Sequence, residues 1–387
     1  MSPTNNPFLI PGVALGILAI AAFLLIYPPR PDTVPVENSN SQTASVGTSD
    51  VLISNVSQLS PAKTEPAPSR PQDQVDPKPD GSAPPDNGSV KRIENPYPTP
   101  PESFLTVNDW ARGALVNILC SSTADGVRPT SGSGVIIDPR GVILTNAHVA
   151  QYVLLSENSQ VNLSCVIRTG SPAREAWIAD VLFIPPAWVE EHASDLVASA
   201  PTETGEHDYS LLLITRSLDG NPISLPSSFP ALEVDTREAI GFLGDQVLTA
   251  GYPAEFIGSV AAQSQLNVAS SITSIKDLLT FKTSTVDLIS LGGVAEAQSG
   301  SSGGPVVNAW GRLIGLITTT SEGATTAERD LRALTISYIN RDIKGQSGSD
   351  LASILNGNLA AEAAAFRNAV APHLTQLLID QISSKPR

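Results

Sequence analysis

The chain has 387 residues, a formal net charge of −15, two cysteines and four histidines. Its acidity argues against nucleic acid as the main partner, and two cysteines exclude a disulfide-dense scaffold or a four-cysteine zinc site. No HExxH string or clustered His/Cys spacing occurs, so neither a metal nor another cofactor is expected.

After a short tail, 1–7, residues 8–27 read FLIPGVALGILAIAAFLLIY and carry no charge. At about 1.5 Å per residue this run covers roughly the 30 Å of one hydrocarbon core, so it is read as a single transmembrane helix. A cleaved signal peptide is the competing reading. It would need a positive leading region, which is missing, and Pro28-Pro29 follows where cleavage would be expected. Arg30 is the one basic residue nearby and decides little about orientation.

Residues 28–103 hold half of the chain's 32 prolines, interspersed with Ser, Asn, Asp and Thr. So few large apolar residues cannot offset the entropy of ordering, and a disordered tether is expected. From residue 104 short apolar runs alternate with turn signals: GALVNILCSS, GSGVIIDPRGVILTNAHVA, QVNLSCVIRT, AWIADVLFI and DYSLLLITRS. Asp138-Pro139-Arg140-Gly141 separates two β-rich runs and predicts a hairpin over 134–145. A second set follows: QVLTAGYPA, QLNVASSITSI, TFKTSTVDLIS, VVNAWGRLIGLITTT and LRALTISYI. The expected fold is all-β: two antiparallel barrels of about six strands each, spanning 104–345. The tail, 346–387, is rich in Ala, Leu and Glu and reads as helix, with Pro372 expected to break it.

Residues 300–308, GSSGGPVVN, pose the functional question. A serine hydroxyl needs a base to take its proton, an acceptor to orient that base, and N–H donors for the oxyanion. LTNAHVA directly after the hairpin offers His148, and HDYSLLLI offers Asp208 at the start of a sustained strand. Asp195, in SDLVA, is a rival whose strand fades into SAPTETG. Ser301 and Ser302 both offer hydroxyls, but only Ser302 directly precedes Gly-Gly-Pro.

In GVILTNAHV, HDYSLLLI and GSSGGP, over roughly residues 107–345, the chain resembles the trypsin-like serine proteases, particularly bacterial members of the HtrA/Deg type. That resemblance implies the chymotrypsin fold and a catalytic set of His148, Asp208 and Ser302, in the chain order of that triad. It further implies oxyanion donors at the backbone amides of Gly300 and Ser302. Ser301 stands where well-known members carry Asn or Asp. The second strand after the serine, including Thr318, Thr319 and Thr320, is implied to pair with a peptide substrate. Glu296, six residues before Ser302, takes the place of the residue at the pocket base, where a carboxylate would favour Lys or Arg; the alternative is a side chain turned to solvent. No region of PDZ size follows the barrels. Cys120 and Cys165 lie on two expected strands of the first barrel, and either a disulfide or two buried thiols fits them.

The expected activity is therefore a membrane-anchored serine endopeptidase acting on proteins or peptides. Two alternatives remain: an inactive barrel pair that binds peptides, and a cytosol-facing anchored scaffold. Family habit and the long tether favour an extracytoplasmic protease domain.

Overall fold

The computed structural model describes residues 95–122, 127–198, 204–218, 225–238, 240–255, 264–281, 285–321 and 323–384. The expected membrane helix at 8–27 and the linker up to residue 94 lie outside them. Residues 95–103, assigned to the linker by composition, are held on the protein surface. Tyr97 donates its hydroxyl to Asp235 and accepts from Asn308 at 3.0 Å, and Trp310 Nε1 donates to Thr99 O at 3.0 Å. Burial, with the Asp235 carboxylate beside it, pushes the Tyr97 phenol up to about 12.

Helix α1 (Phe104–Ala114) starts at Ser103, whose hydroxyl accepts the Thr106 N–H. Val107, Ala111 and Ala114, at helical spacing, are its buried face. Six strands then close a barrel in the order β1-β2-β3-β6-β5-β4. They are β1 (Leu115–Ser122), β2 (Thr130–Asp138), β3 (Val142–Thr145), β4 (Leu163–Thr169), β5 (Arg174–Phe183) and β6 (Ser210–Ser217). The β2–β3 hairpin turns at Asp138, whose carboxylate accepts the Arg140 N–H at 2.8 Å. Cys120 of β1 faces Cys165 of β4 in register, and the two are disulfide-bonded. Two helices interrupt the strands: α2 (Ala147–Ser156) and α3 (Pro186–His192).

The second sheet contains β7 (Gln246–Gly251), β8 (Ala269–Ser274), β9 (Asp277–Leu279), β10 (Leu288–Gly292), β11 (Pro305–Asn308), β12 (Leu313–Thr320) and β13 (Leu331–Thr335). Its order is β8-β7-β11-β12-β13-β10-β9, so seven strands stand where six were expected. The extra strand comes from a split. β8 and β9 are two halves of one run, bent where Ile275 N–H bonds Asp245 O and Lys276 N–H bonds Ser290 O. The first half pairs with β7 and the second with β10, which curls the sheet back on itself.

Four helices complete the chain: α4 (Ile336–Ser347), α5 (Leu351–Asn356), α6 (Leu359–Ala369) and α7 (Ala371–Ser384). LRALTISYI, read as one strand, changes to helix at Ile336 because the Thr335 side chain caps the Tyr338 N–H. The tail breaks at Gly357 and Val370 rather than at Pro372. Pro372 is the second residue of α7, where a missing N–H costs nothing. Phe366, Leu374 and Leu378 are buried in the core cluster of the first barrel. Each such side chain contributes about 1.5–3 kcal/mol on burial, so the tail is an integral part of the fold.

Candidate active site

His148 is the second residue of α2, and Asp208 lies two residues before β6. The β3–β6 ladder pairs Thr145 with Ser210, which brings the two residues together. Asn146 Nδ2 donates to Asp208 O at 2.7 Å, and His148 N–H donates to Asp208 Oδ1 at 3.0 Å. A first-turn amide has no partner within its helix, so the carboxylate satisfies it and gains from the positive end of the helix dipole. His148 Nδ1 lies 2.9 Å from Asp208 Oδ2. With Asp208 ionised, that contact requires the proton on Nδ1 and leaves Nε2 unprotonated in the neutral ring.

Asp208 is fully buried. Burial alone would raise its pKa, but His148 and donated hydrogen bonds outweigh this and hold the carboxyl below its ordinary range. One of those donors is Thr318 Oγ1, at 2.6 Å from Oδ2. The carbonyl of the same Thr318 accepts from Ser302 Oγ at 3.4 Å. Thr318, expected only as a substrate-binding position, thus touches Asp208 with its side chain and Ser302 with its backbone. Thr319 and Thr320 continue β12, and their side chains lie outside the described residues.

The Ser302 loop is shaped by backbone that only glycine supplies. Gly303 has φ +87°, and a Cβ there would lie 2.0 Å from Ser133 O. Gly300 has φ +96°, and a Cβ there would lie 2.5 Å from Tyr252 O. Ser301 is buried, with its Cβ 3.1 Å from where one on Gly251 would stand, whereas Ser302 is partly exposed. The pair therefore divides: Ser301 packs inward and Ser302 keeps part of its surface open. Among the described residues, the N–H groups of Gly300 and Ser302 have no acceptor.

Ser133 of β2, which the sequence did not single out, stitches this loop to the first barrel. Its N–H donates to Ser302 O at 2.8 Å and its hydroxyl to Gly300 O at 2.7 Å. The same hydroxyl accepts the Tyr252 N–H at 2.9 Å, and Thr145 Oγ1 donates to Ser133 O at 2.7 Å. The only signal was a serine between two glycines in TSGSGVIID.

Glu296 is fully buried. Its Oε2 accepts from Thr249 Oγ1 at 3.2 Å, and its Oε1 has no hydrogen-bond partner among the described residues. Burial pushes its pKa up, opposed by the hydroxyls of Ser271 and Thr249. The carboxyl thus points into the second sheet, neither to solvent nor to an open pocket. Asp195 pairs with His192, at 2.9 Å, within a 3-10 turn of its own. Among the described residues no three His, Cys, Asp or Glu side chains cluster as metal ligands would.

Taken together, the site holds an imidazole oriented by a buried carboxylate, a hydroxyl linked to that carboxylate through Thr318, and amides without acceptors beside the hydroxyl. Comparison with known proteins identifies one domain. Residues 132–316 match the model of the trypsin-like peptidase domain. Among solved structures, the chain is similar to the serine endoprotease from Yersinia pestis, at 21% identity over 64% of this chain and 68% of that one, with a TM-score of 0.41. No curated protein matches. By that match, residues 132–316 are a trypsin-like peptidase domain, the domain of a serine protease.

Proposed function

We propose that this protease cleaves peptide bonds through Ser302, His148 and Asp208. The observation that carries the reading is Thr318, which links the Asp208 carboxylate to the Ser302 hydroxyl. Ser302 Oγ attacks the scissile carbonyl carbon while His148 Nε2 takes the hydroxyl proton. Asp208 keeps Nδ1 protonated and stabilises the imidazolium. The oxyanion forms hydrogen bonds with the amides of Gly300 and Ser302. Collapse of the tetrahedral adduct breaks the C–N bond, and His148 returns its proton to the departing amine. Water, deprotonated by the same imidazole, then hydrolyses the acyl ester and regenerates Ser302. The β12 backbone around Thr318 offers an edge on which an extended substrate can pair.

The domain acts at a membrane surface in this reading. Residues 8–27 anchor the chain, and the Pro-rich segment after them spaces the protease from the bilayer. The Cys120–Cys165 bridge supports an oxidising, extracytoplasmic compartment.

Cleavage of labelled casein by the full chain, beside Ser302→Ala, tests the chemistry. Activity in the parent and none in the variant is expected. A parent that binds peptides without cleaving them makes the protein an inactive binding module. Digestion of intact cells by added protease tests the topology: loss of the domain is expected, and its protection places it in the cytosol.

A further inference from the structure

His207 and Tyr209 flank the proposed acid, and both reach the same carboxylate oxygen. Asp342, on α4, places its Oδ2 2.8 Å from His207 Nδ1, and that oxygen accepts the Tyr209 hydroxyl at 2.8 Å. It also accepts Gln346 Nε2 at 2.8 Å, from one turn further along the helix. Tyr338, one turn earlier, accepts the His207 N–H at 3.1 Å. Asp208 points elsewhere, to His148 and Thr318. His207 has φ +60°, a conformation that a residue with a Cβ keeps only when its surroundings hold it.

Helix α4 does not need these polar contacts in order to dock. Ile336, Ile339 and Ile343, at helical spacing, are fully buried beneath it. The polar contacts do something else: they join α4, which continues the last strand of the second sheet, to the segment of the first barrel that carries Asp208. Burial would raise the pKa of Asp342, but its donors His207, Tyr209 and Gln346 hold it below its ordinary value of 3.8. It is therefore ionised at neutral pH. The other titratable groups around it are Glu206, 3.7 Å from His207 Nε2, and Tyr338.

We infer that Asp342 is a positioning residue for the reaction: by gripping both neighbours of Asp208 it sets where that carboxylate meets His148. The inference rests on Asp208 being the acid of the proposed triad. Sequence gave no hint of it, because Asp342 stands in a helix 134 residues beyond the acid and matches no motif.

The test is the second-order rate at which a fluorophosphonate probe labels the full chain between pH 5 and 9. The melting temperature is measured for every variant. Asp342→Ala is expected to lower the rate at least about tenfold at pH 7.5 and to move the midpoint of its rise to lower pH, because the imidazole loses carboxylate support. Asp342→Asn, which keeps an acceptor oxygen for Tyr209 and His207, is expected to recover to within about threefold, with Tyr209→Phe between the two. If Asp342→Ala melts earlier yet keeps the parental rate and midpoint, the residue is a structural clip and the inference is overturned. Should Asp342→Ala not fold, Tyr209→Phe read by the same criteria decides. Labelling of Ser302→Ala at the parental rate would instead overturn the triad reading beneath it.

Discussion

In the first barrel, His148 and Asp208 stand at the ends of paired strands and are fixed by the β3–β6 ladder and by the start of α2. In the second sheet, Ser302 stands on a loop with no ladder of its own, shaped by Gly300 and Gly303 and fastened across the cleft by Ser133. The proposed base and acid are thus placed by secondary structure, whereas the proposed nucleophile is placed by tertiary contacts. Damage to the ladders of the first barrel should therefore appear as lost folding, and damage to the reacting groups or around the loop as lost chemistry in a protein that still folds.

His148→Ala removes the base and is expected to lower casein cleavage by at least about a thousandfold with little change in melting temperature. Gly303→Ala breaks the loop side. Its Cβ would meet Ser133 O, so the loop must shift; a displacement near 1 Å costs on the order of a hundredfold in turnover. The far-UV circular dichroism spectrum should stay parental. Ser133→Ala leaves the Gly300 carbonyl and Tyr252 amide without their hydroxyl partner. Loss of about tenfold in kcat is expected, together with about 1–3 kcal/mol of stability in urea unfolding. A fall in stability with unchanged kcat would show that the loop holds itself without the first barrel.

The smallest effect concerns Glu296. A carboxyl whose folded pKa is raised favours folding below its unfolded pKa, and that contribution is lost as pH rises through the folded value. At pH 8 the fully buried Glu296 is a burden, because the unfolded chain favours its charged form and burial disfavours it, so Glu296→Gln should raise the melting temperature by a few degrees, with the gain shrinking towards pH 5. Because the side chain faces Thr249 and Ser271, the variant should keep the parental preference across substrates differing at the residue before the cut. A selective loss of cleavage after Lys and Arg would put Glu296 in the substrate pocket.

Local strings made the candidate triad residues legible. LTNAHVA, HDYSLLLI and GSSGGP each carry a strand end, a turn or a glycine requirement within a few residues, and the structure brings His148 and Asp208 into contact and sets both beside Thr318. What stayed hidden depends on approach between distant segments. Ser133 earns its place only because β2 passes the nucleophile loop, and Asp342 only because α4 folds back onto the segment before β6. The bend that splits β8 from β9 was invisible for the same reason, since Ile275 is apolar and β-branched and would suit an unbroken strand. Helix α3 falls between two strand runs, and Pro186 at its start is the local signal for a helix N-terminus there. The chain from 95 to 103 shows that proline content alone does not mark the edge of a domain: Tyr97, lodged between Asp235, Asn308 and the guanidinium of Arg237, anchors it.

The most direct measurement is mass-spectrometric mapping of the fluorophosphonate adduct across pH, in the parent and in His148→Ala. The proposed triad requires a single adduct on the peptide containing Ser302, formed at a rate that rises with deprotonation of one imidazole and nearly vanishes without His148. An adduct on Ser301 or elsewhere, or one on Ser302 that forms equally fast in His148→Ala, would contradict it.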